Sequence, residues 1–231
     1  MKLVAEKGRL LAFPYSSSSN LTIVGTFHAL NEEDKSRLES LIDESDFVAL
    51  EYDDVRLNSF FDVRHRKVKT RFSREGILYC DLLNALYLNV FIYLNEWTVS
   101  EHNKVVGGGR DVDDCEFLFC HNFARKKGKR IYLVDMPNHV VAQKLMRLPF
   151  RTKIQHILSV LGANKYPDAA YDIMFRQRER YMLEEVERFE GPFENLSSKG
   201  ILVVGYSHAL NYARKNYEIE RVNKVSAQSK C

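Results

Sequence analysis

The sequence lacks the features that define several classes of protein. With five prolines and eleven glycines in 231 residues, it does not have the composition of a disordered or fibrous chain. Its four cysteines form no paired C-x-x-C motif, so they predict no zinc site, and we expect them to be free thiols. Lys and Arg number 34 against 31 Asp and Glu, an excess too small to predict a nucleic-acid-binding protein.

No segment is apolar enough to predict a membrane span. The most apolar stretch, residues 76–97, is interrupted by two acidic residues and three asparagines, whereas a span needs about 20 mostly apolar residues. Near the start, Glu6, Lys7 and Arg9 interrupt the apolar run that a signal peptide would require. We therefore expect no integral membrane segment and a cytoplasmic location.

Four short apolar runs predict buried strands, because each is continuous and rich in Val, Ile and Leu, as in parallel sheets that helices cover. They are Leu21–Val24, Phe47–Leu50, Ile131–Val134 and Ile201–Val204. A further strand is expected near Arg9–Phe13, joined to the next by a turn. Strands that alternate with helices predict an α/β fold with a mainly parallel central sheet flanked by helices. We expect one domain over residues 1–217 and a polar, disordered tail over residues 218–231.

Helical patterns separate the apolar runs. The first predicted helix has Asn31 as its N-cap, and the fourth segment is expected to break near Pro149 into two helices. The predicted segments are Glu32–Glu44, Ser73–Glu96, Val112–Lys127, Asn138–Leu161, Ala169–Glu190 and His208–Asn216.

One short sequence occurs twice in the chain. Residues 24–31 read VGTFHALN and residues 204–211 read VGYSHALN, identical at six of eight positions, and each copy follows an apolar run. Glycine permits a tight turn after a strand, so His28 and His208 are expected beyond the carboxyl ends of their strands. In open α/β sheets, ligands bind at that edge.

The other two apolar runs also end in polar residues. Glu51 follows one and Asp135 follows the other. Two imidazoles and two carboxylates at one sheet edge predict either a divalent-metal site or an acid–base centre. The alternative is a purely structural role, in which these side chains cap helices. Asp135 in particular could start the next helix.

Two arginines are further candidates. Arg178 lies within an apolar helical stripe, where a guanidinium needs a carboxylate or phosphate partner. It could form an ion pair with a neighbouring helix, or it could bind a substrate carboxylate or stabilise an oxyanion. Arg56 could reach back to Glu51 or contact a ligand.

Together these blocks resemble the TraB/PrgY/Tiki superfamily, which is related to the erythromycin-esterase (EreA)/ChaN-like fold. The resemblance rests on six blocks in the family's order across residues 21–211. They are G-T-x-H at 25–28, E-x-D-x-x-R at 51–56, a helix from Glu116 to Gly128, a strand at 131–137, Arg178 to Met182 in a helix, and V-V-G-x-x-H at 203–208. Three positions depart from the pattern: Tyr52 replaces Leu, Met136 replaces Arg, and Gln177 replaces Glu.

The resemblance implies a metal-dependent hydrolase of the peptidase type, built on the two G-x-x-H histidines and a glutamate. His28, Glu51 and His208 would bind Mn, Co, Zn or Fe, and Arg178, Arg56 and Asp135 would contact a peptide or small-molecule substrate. A metal-free His–Glu general base stays open as an alternative.

The same resemblance implies an alternative function, because members of the PrgY and TraB type limit peptide-pheromone signalling. The alternative is a binding module that sequesters a signal peptide without turnover, which Gln177 slightly favours. We expect no nucleic-acid partner. The apolar helix over residues 73–96 predicts either a core helix, which is the favoured interpretation, or the surface of a homodimer.

Overall fold

The computed structural model describes residues 10–26, 30–53, 87, 90, 116–162 and 165–216. Within them, five strands form one sheet in the order β1-β2-β5-β3-β4. The strands are β1 Leu11–Tyr15, β2 Ser18–Thr26, β3 Phe47–Leu50, β4 Arg130–Leu133 and β5 Gly200–Gly205. β1 pairs with β2 in the antiparallel sense, and all the other pairs are parallel. The predicted α/β fold with a mainly parallel sheet is confirmed.

Helices connect the strands. The helices are α1 Glu32–Asp43, α2 Glu116–Lys126, α3 Asn138–Met146, α4 Phe150–Val160, α5 Asp168–Tyr171 and α6 Arg178–Glu190, together with a π-helix at Asp172–Gln177 and a 3₁₀-helix at Phe193–Asn195. A last helix, α7, covers residues 206–216. The predicted break near Pro149 is confirmed, since α3 ends before it and α4 begins after it. The predicted helix over Ala169–Glu190 is confirmed in its extent, but it is not a regular α-helix throughout, because the π-helix interrupts it.

The described residues belong to two compact units. One, which we call the sheet unit, takes in residues 1–51, 108–134 and 183–231, and the other, the helical unit, takes in residues 52–107 and 135–182. The expectation of one domain over residues 1–217 stays a prediction. The predicted tail over residues 218–231 lies outside the described residues, as does the predicted helix over residues 73–96 apart from Tyr87 and Val90.

Three of the four apolar runs that predicted strands lie in the core of the sheet unit, whereas the run in β4, at the edge of the described sheet, is only partly buried from Ile131 to Leu133. Leu21, Ile23, Phe47 and Leu202 are fully buried, as expected for strands covered on both faces. Asn31 caps α1 as predicted: its side-chain Oδ1 accepts a hydrogen bond from the backbone N–H of Asp34 at 2.7 Å. Such a cap satisfies a donor that the first helical turn leaves without an intrahelical partner.

Gly25, the second residue of the first copy of the repeat and the next-to-last residue of β2, lies against α7. A Cβ atom at this position would be 2.3 Å from the Cβ of Ala209, well inside the carbon–carbon contact distance of about 3.5–4.0 Å. Only glycine permits so close an approach. Because Ala209 directly follows His208, Gly25 allows the helix that carries His208 to pack against β2.

The helical unit has its own apolar core. Its buried members are Tyr87, Met136, Val141, Ala142, Leu145 and Ile173, and partly buried side chains such as Ile157 and Tyr181 pack against them. Among the described residues, no helix is both long enough and apolar enough to cross a membrane.

A fully buried histidine of α4 lies beside this core, between two tyrosines. The Tyr87 hydroxyl is 2.6 Å from Nδ1 of His156, and the Tyr166 hydroxyl contacts Nε2 of the same ring. Burial lowers the pKa of His156 from its ordinary value to about 4, and it raises the pKa of both tyrosines. At neutral pH the imidazole is therefore uncharged, so it donates to one hydroxyl and accepts from the other.

We predict that Gly25→Ala destabilises the protein by about 1–3 kcal/mol, because the added methyl group overpacks the contact with Ala209. Urea unfolding of the single variants and of the double variant Gly25→Ala/Ala209→Gly measures the coupling between the two sites. The double variant should recover part of the loss, although glycine inside a helix itself costs about 1 kcal/mol. Strictly additive losses would contradict the contact.

We predict that burial of His156 makes stability fall as the pH falls from about 6.5, the ordinary histidine pKa, to about 4, its pKa in the folded chain. Over that pH range the unfolded chain binds a proton that the folded chain does not. The resulting loss in the free energy of unfolding is about 3 kcal/mol across the whole range. Urea unfolding at a series of pH values tests this. His156→Gln cannot titrate, so its stability should fall less steeply, and an equal slope in both proteins would contradict the prediction.

Candidate functional site

Glu51 lies at the carboxyl end of β3, directly beside β5. Its backbone N–H donates to the Val203 carbonyl at 2.9 Å, so the strand pairing continues into this residue. Its side chain is largely buried, and Oε2 accepts a hydrogen bond from the backbone N–H of Gly205 at 2.7 Å. The carboxylate is thereby fixed in direction by the main chain of the neighbouring strand.

His208 lies in the first turn of α7, three residues after β5 ends. It is only 4% exposed, and its Nε2 is 3.4 Å from Oε1 of Glu51. The two oxygens of Glu51 therefore have different neighbours, the Gly205 amide on one side and the His208 ring on the other. The structure brings together the glutamate and the second histidine that the sequence analysis selected, both within the sheet unit.

The two copies of the repeat run side by side as far as both are described. β2 and β5 are parallel neighbours, with Val24 opposite Val203 and Thr26 opposite Gly205. The Thr26 hydroxyl donates to the Val204 carbonyl at 3.4 Å. The copies then differ locally, since Asn31 caps α1 whereas Asn211 lies inside α7. His28 lies outside the described residues, and Thr26 is the last described residue before it.

Asp135 and Arg178, both in the helical unit, bind each other. Arg178 Nε donates to Oδ1 of Asp135 at 3.0 Å, and one Nη donates to Oδ2 at 2.6 Å. The Asp135 side chain is fully buried, and that of Arg178 is 12% exposed. Oδ1 also accepts from the Met136 N–H at 2.8 Å. This bidentate ion pair gives the buried guanidinium of Arg178 the carboxylate partner that it requires. The roles of both residues in substrate binding stay predictions.

Gln177 ends the π-helix, directly before Arg178. Its Oε1 accepts from Lys144 Nζ at 2.6 Å, and its Nε2 donates to Oδ2 of Asp172 at 2.6 Å. A glutamine suits this bridge because it offers one acceptor to the cation and one donor to the carboxylate. A glutamate at this position could not donate to Asp172. Arg56, the remaining candidate, lies outside the described residues.

Imidazole and carboxylate are ligand types that Mn, Fe, Co and Zn share. Two ligands bound at about 2.1 Å from one zinc ion at the tetrahedral angle lie about 3.4 Å apart, which equals the distance between Glu51 Oε1 and His208 Nε2. Within the described part of the chain, no group of three or more His, Cys, Asp or Glu is arranged to hold a metal ion. The pair therefore fits two positions of a metal site, and a third ligand would have to come from elsewhere.

Comparison with known proteins adds no family. No protein-family model matches the chain, and no curated protein matches it significantly. The resemblance to the TraB/PrgY/Tiki superfamily therefore stays a hypothesis that rests on the sequence blocks, and so does the EreA/ChaN-like fold. The homodimer stays a prediction that rests on the apolar segment over residues 73–96.

Sequence reasoning missed the backbone contribution of Gly205 and the cluster around His156. The glycine was expected only to permit a turn, yet its N–H is the hydrogen-bond donor that holds Glu51. His156 gave no signal, because its two partners lie 69 and 10 residues away in sequence. Although Tyr166 follows His156 by only ten residues in the sequence, no sequence motif indicates that the two side chains are in contact.

We predict that Asp135→Ala destabilises the protein by about 3–5 kcal/mol, because it leaves the Arg178 guanidinium largely buried without its carboxylate. The double variant Asp135→Ala/Arg178→Met should recover most of this loss, since it removes the stranded charge. Urea unfolding measures both. The matched control is Glu185→Ala, which breaks a more exposed pair with Arg188 and should cost less than about 1 kcal/mol. Equal losses in Asp135→Ala and the control would contradict a stabilising role for the buried pair.

Proposed function

We propose that the chain is a metal-dependent hydrolase that acts on a peptide or on a related amide or ester. Glu51, His208 and His28 would bind the metal ion, with Mn, Co, Zn and Fe as the candidate ions. The observation that carries the proposal is the approach of His208 Nε2 to Glu51 Oε1 at the carboxyl ends of neighbouring parallel strands.

Three features of the described residues support this site. The distance of 3.4 Å between the two donor atoms suits two ligands of one ion. The amide of Gly205 holds Glu51 from behind, as outer hydrogen bonds commonly do for ligands of a metal. Thr26 pairs with Gly205 at the carboxyl ends of β2 and β5, and His28 follows Thr26 by two residues in the sequence.

The side chains have distinct tasks in the proposed reaction. A bound metal would lower the pKa of a water molecule and polarise the substrate carbonyl. The Glu51 carboxylate would supply a negatively charged ligand for a cation, and the Gly205 N–H would hold the carboxylate in place through Oε2. His208, largely buried, presents its Nε2 toward the same place as Oε1 of Glu51.

The same pair could act without a metal. Glu51 would then orient the His208 ring, and His208 would accept a proton from the attacking water. Arg178, Arg56 and Asp135 are assigned to the substrate on their sequence context and on the family resemblance. For Arg178 and Asp135 that role must be compatible with their mutual ion pair.

A binding module without turnover is the second candidate, and Gln177 favours it. The family pattern has a glutamate at this position, whereas here the amide is engaged by Lys144 and Asp172. If that glutamate takes part in chemistry in the family, this chain lacks it. The site would then capture a peptide or a small ligand through His28 and His208.

Elemental analysis of the purified protein after incubation with Mn, Co, Zn and Fe salts tests the proposal. The wild type should retain about one ion per chain. His208→Ala, Glu51→Gln and His28→Ala should each lose it while they remain folded by circular dichroism. Hydrolysis of a peptide library by the loaded wild type, absent in the three variants, would then establish the activity.

His139→Ala is the matched control, since His139 is an exposed histidine of α3, and it should retain the ion. No ion in any wild-type sample would overturn the metal site and leave the metal-free His–Glu pair or the binding module. A retained ion with ligand binding and no hydrolysis would favour the module. Loss of the ion in His139→Ala as well would show that the histidine variants do not report on a specific site.

A further inference from the structure

Three of the four large apolar side chains that are most exposed in the described residues lie on α4 or directly after it. They are Phe150 at 61%, Ile154 at 43% and Leu161 at 48% exposure. At about 100° of rotation per residue, they fall within about 40° of one another around the helix axis. They form a narrow stripe along one side of the helix, which we call the α4 stripe.

The α4 stripe does not belong to the buried face of the helix. His156 is fully buried, and Ile157 and Val160 pack against the core of the helical unit. The helix is thus apolar on its buried side and again along a second, exposed line. Large exposed apolar side chains along one line of a helix are typical of surfaces that contact a partner or a membrane.

The segment around the stripe is basic throughout. Between Asp135 and Asp168 the sequence has five basic residues and no acidic one, although the whole chain carries only +3, so all other residues together carry −2. Arg147, Arg151 and Lys165 are exposed. They lie just before the helix, in its first turn and just after it, so that positive charge accompanies the stripe at both ends.

We propose that the α4 stripe docks the protein on the surface of an anionic membrane. A short helix with Phe, Ile and Leu on one line and cations around it binds at the boundary between headgroups and acyl chains. Long basic side chains reach from that depth to the headgroup phosphates, and anionic lipids attract each cation near the surface. This contact lies in the plane of the membrane and requires no spanning segment.

A lipid surface fits the stripe better than a protein partner does. A specific protein–protein interface buries about 800 Å² on each side, much more than three half-exposed side chains on a convex helix provide. Membrane docking requires less, since its strength increases with the inserted apolar area and with each neighbouring cation. The absence of acidic residues from the whole segment also suits a uniformly negative surface, on which any carboxylate would be repelled.

Flotation of the full chain with vesicles tests the proposal. The wild type should float with vesicles of phosphatidylcholine and phosphatidylserine, float much less with phosphatidylcholine alone, and release as salt is raised. Phe150→Ser should weaken the partition coefficient by about tenfold, since it removes a large inserted side chain. Arg151→Gln should weaken it by about fivefold, since it removes one cation near the surface.

Two matched controls lie in the sheet unit. Phe189→Ser removes another half-exposed phenylalanine, and Arg214→Gln removes another exposed arginine. Both should float like the wild type. Circular dichroism and thermal unfolding confirm that each variant is folded, and Ile154→Ser replaces Phe150→Ser if the latter is not.

Several results would overturn the proposal. One is a wild type that does not float with anionic vesicles. Another is an equal loss of binding in Phe150→Ser and Phe189→Ser, which would show that the stripe is not the contact. A third is a dimer, detected by light scattering, that Phe150→Ser dissociates and that binds no vesicle. That result would assign the stripe to a second copy of the chain.

Discussion

The parallel pairing of β5 with β2 on one side and β3 on the other determines where the candidate site can form. β5 is the last strand in sequence, yet it lies between the second and third strands in the sheet. Glu51 depends on it twice, through its own N–H to Val203 and through its carboxylate to the Gly205 N–H. His208 reaches Glu51 because the chain leaves β5 directly into a helix. Glu51 and His208 lie close together because β5 is placed next to β3 in the sheet.

The packing of α7 against β2 adds a second constraint to the same place. Gly25 leaves no room for a side chain opposite Ala209, and farther along α7 the Asn216 side chain donates to the Pro14 carbonyl and accepts from the Ser16 N–H. The helix is therefore fixed near both of its ends to the β1–β2 hairpin. The position of His208 follows from these contacts as well as from β5. This explains physically why glycine follows valine in the first copy of the repeat, whereas Gly205 contacts Glu51 through its backbone N–H, which does not require a glycine.

The strands could be predicted from the sequence because burial on both faces produces continuous apolar runs. Their exact extents could not, and β2 begins at Ser18 because residues before Leu21 pair with β1 across the hairpin. The repeat led to His208, and the polar residue after the second apolar run led to Glu51. Both lie at one edge because parallel strands end on the same side of a sheet. An ion pair for Arg178 was only one of two open alternatives, and Asp135 was not identified as its partner. Choosing between them required the helix phase, which the π-helix at Asp172–Gln177 alters in a way that residue spacing does not reveal.

The net charge of a whole chain does not reveal how charge is distributed over its surface. A total of +3 is too small to predict nucleic-acid binding, yet this total combines a basic segment around α4 with a slightly acidic remainder. Screening in physiological salt reduces interactions beyond about 8 Å, so a surface responds to the charges near it and not to the total. The local charge beside an exposed apolar stripe is therefore the relevant quantity for binding at α4. It became visible only when exposure and helix phase showed which apolar residues face outward.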